Sequence, residues 1–322
     1  MDELQQNAAE FAAAQDKGLK KGKKGGKKSF RRSGFEGLIW IAPAFVLMLI
    51  FSYYPPVDAF YHSLTNWNGT TASWIGLKNF TRLFQDTLFW RSCWTMVVLT
   101  LSCMLIGNIC TIVLAELIYN CSNKRMSSFY RFMFVIPAII PGIVTIMLWG
   151  KIILSGQSNG VLNTILGAFG IKPLGWFYSE DTVLWSIILY GFPWMGGTSF
   201  LIYLAGLNNI PESVVEASKL DGIGTFKRVL FIDLPMLKGQ IKYFLIMGLI
   251  GGIQGYTLQY AITNGGPGDS YASMVPGYYM YQAAFQSGRM GFASAIGTFL
   301  FVVIMIFTLL SFKIGKKGEN AQ

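Results

Sequence analysis

Six long apolar segments alternate with polar connections along this chain. They cover residues 38–54, 92–118, 132–154, 182–207, 243–262 and 291–312. Each segment is close to the length of about 20 residues that an α-helix needs to cross the hydrocarbon core of a bilayer. The pattern therefore predicts an all-α, polytopic membrane protein with six transmembrane helices in a lipid bilayer.

The composition agrees with a membrane protein. The chain of 322 residues is 52% hydrophobic and only 13% charged, whereas soluble domains carry about 25% charged residues. The net charge of +10 does not indicate nucleic-acid binding, because nine of the 26 basic residues lie between Lys17 and Arg32. That segment is rich in lysine and glycine and is predicted to be a disordered, solvated tail.

The distribution of basic residues predicts the orientation. Twenty of them lie in the two tails and in the second and fourth connections, and five lie in the opposite loops. By the positive-inside rule, both termini are predicted to be cytoplasmic. The predicted organisation is a cytoplasmic tail of residues 1–37, a membrane domain of residues 38–313 and a cytoplasmic tail of residues 314–322.

Ionisable side chains are scarce inside the predicted spans. The middle of each apolar segment lacks Asp, Glu, Lys, Arg and His, and Glu116 and Lys151 lie near span ends where they can reach the interface. Without a triad or a metal-ligand set, an enzyme and a metal site are disfavoured. Ion-coupled carriers usually place ionisable groups at membrane depth. An ion-coupled secondary solute carrier is therefore the weaker alternative, and a membrane scaffold without transport is a third.

The connection between the fourth and fifth spans, residues 208–239, has the pattern of two short helices joined by a tight turn. Pro211 suits the first turn of a helix. Asp221 and Gly222 form a stop signal that lets the chain turn in a left-handed conformation. A second helix can follow until Pro235 interrupts the pattern. Such an element on the cytoplasmic side of a membrane protein suits docking to a partner.

Seven positions of this connection also form a spaced motif. The motif is Glu-Ala-Ala, three residues, Gly, nine residues, Ile, one residue and Leu-Pro, and the matching residues are Glu216, Ala217, Ser218, Gly222, Ile232, Leu234 and Pro235. Only the serine departs from it. The chain therefore resembles the permease subunits of binding-protein-dependent ATP-binding cassette (ABC) importers. Other segments are similar to the carbohydrate-uptake branch that includes the larger maltose permease subunit.

The resemblance implies a type I ABC importer permease in the bacterial cell membrane. A second homologous permease would complete the translocation path for a sugar, and an extracellular or periplasmic solute-binding protein would deliver that sugar. Two cytoplasmic ATPase subunits would hold ATP and Mg and drive transport. The chain itself has no phosphate loop, so it is predicted to be a transport subunit and not an enzyme.

The resemblance also assigns roles within the motif. Glu216 would make polar contacts in a groove of one ATPase, Ala217 and Ser218 would allow close approach, and Asp221 and Gly222 would form the turn. Alternatively, Gly222 and the Leu-Pro pair of the motif would shape the loop without touching the partner.

Two spans contain the predicted solute path. The resemblance to the maltose subunit suggests its glycines, Trp194, Met195 and Thr198, and the other path residues are polar or aromatic neighbours of these positions. Its residues in the fourth span, where a kink is also predicted, are Tyr190, Gly191, Trp194, Met195 and Thr198. Its residues in the fifth span are Gly248, Gly252, Gln254, Gly255, Tyr256 and Gln259. The glycines either let helices pack closely or leave room for a bulky solute. The second interpretation predicts a wide cavity for a neutral oligosaccharide, with Trp194 and Tyr256 offering flat faces to sugar rings.

Overall fold

A computed structural model of the chain describes residues 29–194, 197–266 and 270–319. These residues form helices, turns and loops, with one isolated antiparallel bridge between Thr65 and Trp74. The predicted all-α class is therefore confirmed. Residues 1–28 lie outside the described part of the chain, so the disordered tail and the exact domain boundaries stay predictions.

The described helices follow one another along the chain with short 3₁₀ or π turns between some of them. The α-helices are α1 (Ser29–Met48), α2 (Tyr54–Ser63), α3 (Lys78–Gln85), α4 (Thr87–Tyr119), α5 (Lys124–Val135), α6 (Gly142–Leu148), α7 (Val161–Ala168), α8 (Glu180–Leu189), α9 (Gly197–Asn208), α10 (Glu212–Leu220), α11 (Thr225–Arg228), α12 (Leu234–Met236), α13 (Lys238–Gln254), α14 (Pro276–Tyr281) and α15 (Met290–Glu319). The 3₁₀ turns are Ile136–Ile139 and Trp176–Tyr178, and the π turns are Leu49–Tyr53, Trp149–Ile153, Val229–Asp233, Gln259–Thr263 and Gln282–Gln286.

Four helical runs within the described residues are long and apolar enough to cross a membrane. They are Ile39–Ser63, Thr87–Tyr119, Lys238–Thr263 and Met290–Ser311. These runs coincide with the first, second, fifth and sixth predicted spans, which are thereby confirmed as helices of spanning length. The first run extends well beyond its predicted end at residue 54.

The third predicted span, residues 132–154, is bent and not straight. Its two halves, Lys124–Ile139 and Gly142–Ile153, meet at 92°. The bend lies at Ile140 and Pro141, where the residue before proline is extended, with ψ at 125°. Proline disfavours the helical conformation in the residue before it. The described residues therefore contain four spans by length and composition, or five if this bent pair is one span, and the predicted count of six is not confirmed exactly.

The fourth predicted span, residues 182–207, is split into the two helices α8 and α9. The break contains left-handed backbone at Gly191, Trp194 and Gly197, with φ of +84°, +55° and +75°. A kink was expected at this position, but the interruption is complete. The helices have 10 and 12 residues, so neither reaches the length of about 20 residues that spans a bilayer alone.

The chain divides into two units, Met1–Ala59 and Phe60–Gln322. In the first unit, the side chains of residues 39–57 are exposed and mostly apolar, so this helix offers a surface to lipid. In the second unit, the smaller of two apolar cores joins α4, α9 and the chain before α13. It consists of Leu114, Ala115, Ile118, Phe200, Tyr203, Leu204, Leu207, Ile210 and Leu237.

At the opposite end of α4, Asp86 connects the start of this helix to α14. Its carboxylate accepts hydrogen bonds from the backbone N–H groups of Leu88 and Phe89, which caps the start of α4. The same carboxylate accepts the Tyr279 hydroxyl at 2.5 Å. Burial and this hydrogen bond raise the pKa of Tyr279 to about 12. The phenol therefore stays protonated at neutral pH and keeps α14 attached to the start of α4.

Candidate coupling loop and solute path

The turn that ends α10 lies at Gly222, whose φ is +70°. The Ile223 N–H donates to the Ser218 carbonyl at 3.0 Å, and the Gly222 N–H donates to the Lys219 carbonyl at 3.1 Å. These two hydrogen bonds form a Schellman motif, which favours glycine at the left-handed position. The local sequence thus fixes both the end of α10 and the direction in which the chain leaves it.

One face of α10 is anchored in the protein and the other is exposed. Val214 and Val215 pack against the smaller core. Ser218 is buried on the same side, and its hydroxyl donates to the Val215 carbonyl at 2.7 Å. Glu216 and Ala217 are exposed. Of the three residues that open the motif, two therefore face outward, while the serine faces the chain's own core.

The tip of the loop carries large exposed apolar side chains that the sequence motif does not include. Leu220, Phe226 and Phe231 are 88%, 76% and 75% exposed, and Asp221 and Gly222 between them are exposed as well. Clusters of exposed apolar side chains rimmed by polar residues mark interaction sites. The sequence could have indicated this surface, because these apolar residues lie in the connection of residues 208–239, which is too polar to be a span.

The second half of the motif continues as a helix through Pro235, which corrects the expected interruption. The π turn Val229–Asp233 precedes the proline, and the Leu234 N–H bonds to the Val229 carbonyl. Such a turn is one of the ways in which a helix accommodates a disrupted hydrogen-bond ladder. Ile232 and Leu234 are half-buried and Pro235 is exposed, so the first two side chains contribute to the shape of the loop.

A buried polar cluster, which we call the Arg228 joint, connects this loop to the end of α4. Arg228 Nε lies 3.1 Å from Asp233 Oδ2, and the side chains are 8% and 0% exposed. Arg228 Nη2 donates to Asn120 Oδ1 at 2.5 Å. Asn120 Nδ2 then donates to Glu116 Oε2 at 3.2 Å. The joint therefore consists of Arg228, Asp233, Asn120 and Glu116.

The Arg228 joint corrects one expectation, which concerned Glu116. Glu116 was expected to reach the membrane interface, but it is buried and bound to Asn120. Arg228, one of the basic residues on the predicted cytoplasmic side, pairs with Asp233 inside the protein. Glu116 Oε1 and Asp233 Oδ1 have no hydrogen-bond partner among the described residues. A buried cluster of this kind is costly to break, because the remaining charges stay desolvated.

A cavity of about 480 Å³ lies between α4 and the fifth predicted span. Five predicted path residues line it: Gly248, Gly252, Gly255, Tyr256 and Gln259. The helix α13 ends at Gln254, and Gly255 continues in an extended conformation at the cavity. Broken helices at membrane depth are tolerated where they line a cavity. Gln254 itself is exposed and lies outside this lining.

Two of the cavity glycines also allow α13 to approach α4. A Cβ atom added at Gly252 would overlap the side chain of Thr100, and one added at Gly248 would lie 2.9 Å from Met104 Cγ. At Gly251 the same construction meets no atom within 4 Å. The two interpretations of these glycines are therefore compatible. Gly248 and Gly252 let α13 pack closely against α4, and both also line the cavity.

Three path residues of the fourth predicted span, Tyr190, Gly191 and Trp194, lie in the break between α8 and α9, and Thr198 lies in the first turn of α9; all four are outside the cavity lining. Trp194 is half-buried, and its indole N–H donates to the Ile188 carbonyl at 2.8 Å. Tyr190 makes an edge-on contact with Trp149 at 6.1 Å between ring centroids. Gly191 is half-buried and Thr198 is exposed. Met195 lies outside the described residues.

Alanine substitutions at the two adjacent glycines are expected to have opposite effects. Gly251→Ala should stabilise the protein by about 0.5 to 1 kcal/mol, because alanine is the better helix former. Gly252→Ala should destabilise it by about 1 to 3 kcal/mol, because Thr100 is β-branched and cannot easily move away. Thermal unfolding of the two variants in the same detergent checks this prediction. Equal shifts of the midpoint temperature would contradict the packing shown by these glycines.

Comparison with known proteins agrees with this arrangement. Residues 107–316 match the family described as the binding-protein-dependent transport system inner membrane component. The chain belongs to this family. Membership makes it a transport subunit and not an enzyme, and it favours an ABC permease over an ion-coupled secondary carrier.

Individual relatives match along nearly their whole length. The chain is 31% identical over 290 residues to the probable ABC transporter permease YesP of Bacillus subtilis (strain 168), which covers 89% of this chain and 92% of that protein. It is 30% identical to the arabinooligosaccharides transport system permease AraP of the same organism, covering 88% and 90% of the two chains. The identity to MsmF, a multiple sugar-binding transport system permease of Streptococcus mutans, is also 30%, with coverage of 88% and 96%.

A solved structure shares the fold. It is a bacterial ABC transporter involved in the import of the acidic polysaccharide alginate, with a TM-score of 0.79, 23% identity and coverage of 90% of this chain and 98% of that chain. This likeness confirms the predicted ABC importer permease architecture.

Proposed function

We propose that this chain is one of two permease subunits of an ABC importer that carries an oligosaccharide into a bacterial cell. ATP hydrolysis on two cytoplasmic ATPase subunits, which hold ATP and Mg, drives the transport. A solute-binding protein outside the membrane delivers the sugar. In support, the relatives include permeases named for arabinooligosaccharides and for multiple sugars, and one similar solved structure contains a pentasaccharide-bound periplasmic protein.

The observation that carries the proposal is the construction of the coupling loop. An acidic and apolar exposed surface is held on a short helix by a Schellman turn, by the smaller core and by the Arg228 joint. In the proposed complex, α10 and the loop tip occupy a groove of one ATPase subunit. When the ATPase subunits move, the loop moves with them, and the Arg228 joint passes the displacement to α4, which lines the cavity.

The lining of the cavity supports a neutral, polyhydroxylated solute. None of its lining residues is Asp, Glu, Lys, Arg or His. Gln259 and the backbone at Gly255 offer hydrogen-bonding groups, and Tyr256 offers a flat apolar face with a hydroxyl. Sites of this mixed character, apolar with a few placed polar groups, suit small-molecule recognition. The second permease would complete the path from the other side.

The proposed orientation places both termini and the coupling loop in the cytoplasm of a bacterial cell, with the protein in the cell membrane. The excess of basic residues on that side supports this orientation. The loops that follow the first, third and fifth predicted spans then face the solute-binding protein.

Reconstitution tests the proposed function directly. The tagged chain is purified in mild detergent with its associated subunits, which are identified by mass spectrometry, and is placed in vesicles. Uptake of labelled arabino-oligosaccharides is measured with the co-purified binding protein. We expect uptake that requires enclosed ATP and continues when ionophores remove all ion gradients. Uptake that follows an ion gradient without ATP would contradict the proposal.

A further inference from the structure

Five aromatic rings form a continuous cluster at the end of the fifth predicted span. Tyr281 lies at its centre, with its ring centroid 5.1 Å from those of Tyr260 and Phe285, 6.0 Å from Tyr278 and 6.1 Å from Tyr256. The rings of Tyr256 and Tyr278 are stacked on that of Tyr281, at interplanar angles of 24° and 12°. We call these five residues the aromatic ladder.

The ladder runs between a buried end and an exposed end. Tyr278 is buried, and its hydroxyl lies 3.3 Å from Asn264 Oδ1, which it donates to. Tyr256 and Tyr281 are half-buried. Tyr260 and Phe285 are 50% and 70% exposed. The described residues of this chain therefore leave one side of the cluster accessible.

One end of the ladder reaches the candidate solute cavity. Tyr256 lines that cavity together with Gly252, Gly255 and Gln259. Tyr281, which is stacked on Tyr256, contacts the exposed Phe285 on its other side. A solute that moved along the exposed rings would therefore pass from the surface of the protein to the cavity without leaving aromatic contacts.

We propose that the aromatic ladder is a binding track for the rings of an oligosaccharide, which leads them from the outer face into the cavity. This inference rests on the proposed function and assigns its entry route. The apolar C–H face of a sugar ring packs on an aromatic face, and tyrosine adds a hydroxyl that can hydrogen-bond to water or to a sugar hydroxyl. Successive aromatic rings would contact successive sugar units, so a longer oligosaccharide would contact more rings of the ladder than a short one.

The test uses the complete complex in vesicles, supplied with saturating solute-loaded binding protein. The probes are arabino-oligosaccharides of two to five units. Tyr260→Leu and Phe285→Leu remove exposed rings, so both variants should fold. We expect each to lower the maximal uptake rate of the longest probe about tenfold, which corresponds to about 1.4 kcal/mol in the barrier. The loss should be smaller for the disaccharide, and Tyr260→Phe should retain at least half of the rate.

Tyr243 provides a matched control, because it is also 50% exposed and lies at the other end of the same helical run. Tyr243→Leu should leave the uptake rate unchanged. The proposed binding track is contradicted if Tyr260→Leu transports all probes at the wild-type rate, or if Tyr243→Leu lowers the uptake rate as much as Tyr260→Leu does. These outcomes differ from failure of the proposed function, in which the wild-type complex itself would show no ATP-dependent uptake.

Discussion

Replacing Gly222 by aspartate is expected to lower the amount of ATPase subunit recovered with the purified permease at least about tenfold. The left-handed backbone at this position tolerates aspartate better than most residues, and a side chain there meets no atom of this chain within 4 Å. The fold should therefore survive. The new carboxylate lies beside Asp221 at the carboxyl end of α10, where the helix dipole disfavours negative charge, and at the surface proposed to enter the ATPase groove. ATPase recovered per permease, measured by quantitative mass spectrometry, checks this result.

Two further variants separate the charge from the backbone effect. Gly222→Asn has nearly the same size and the same tolerance for left-handed backbone but carries no charge, so it should retain more than half of the ATPase. Gly170→Asp adds the same charge at a turn with φ of +75° and no atom within 4 Å, in a loop on the opposite side of the membrane in the proposed orientation. It should retain all of the ATPase. Equal losses in Gly170→Asp and Gly222→Asp would contradict the docking role of the loop.

The parts of the fold that the sequence predicted correctly are those governed by local rules. The apolar segments gave four of the spanning helices, because a run of about 20 apolar residues has few alternatives in a bilayer. The end of α10 followed from Gly222, since the Schellman turn uses only residues within one turn of the helix. Proline and glycine residues indicated a kink in the fourth span, but they did not determine that this helix would break. The bend in the third span was not predicted.

The parts that the sequence could not predict depend on contacts between distant residues. Arg228 and Asn120 are 108 positions apart. Each alone is an ordinary polar residue, one in the connection after the fourth span and the other just after the second span. The glycines of the fifth span were compatible with both packing and an open cavity. The choice at Gly252 depends on Thr100, a residue of another helix. Likewise, the hydrogen bond from the indole N–H of Trp194 to the Ile188 carbonyl depends on the break between α8 and α9, and the contact of this ring with a solute stays a prediction.

The second large effect is expected at the Arg228 joint. Arg228→Met should lower the free energy of unfolding by about 3 to 5 kcal/mol, because it leaves Asp233 fully buried without its charge partner. Replacing both partners, as Arg228→Met with Asp233→Leu, should recover most of this loss, since no unpaired charge then remains in the interior. Denaturant unfolding of the permease in detergent, followed by circular dichroism, gives the three free energies that the comparison needs.

Arg125→Met is the control for the loss of one positive charge on the same side of the membrane. Arg125 is exposed, so this change should alter the free energy of unfolding by no more than about 0.5 kcal/mol. If Arg228→Met were no worse than Arg125→Met, the buried ion pair would not be stabilising the loop. If the double variant were no better than Arg228→Met, the loss would come from packing of the arginine stem and not from the stranded carboxylate. Recovery in the double variant would show that the loss in Arg228→Met comes from the stranded carboxylate of Asp233, whose burial the arginine charge compensates in the wild-type chain.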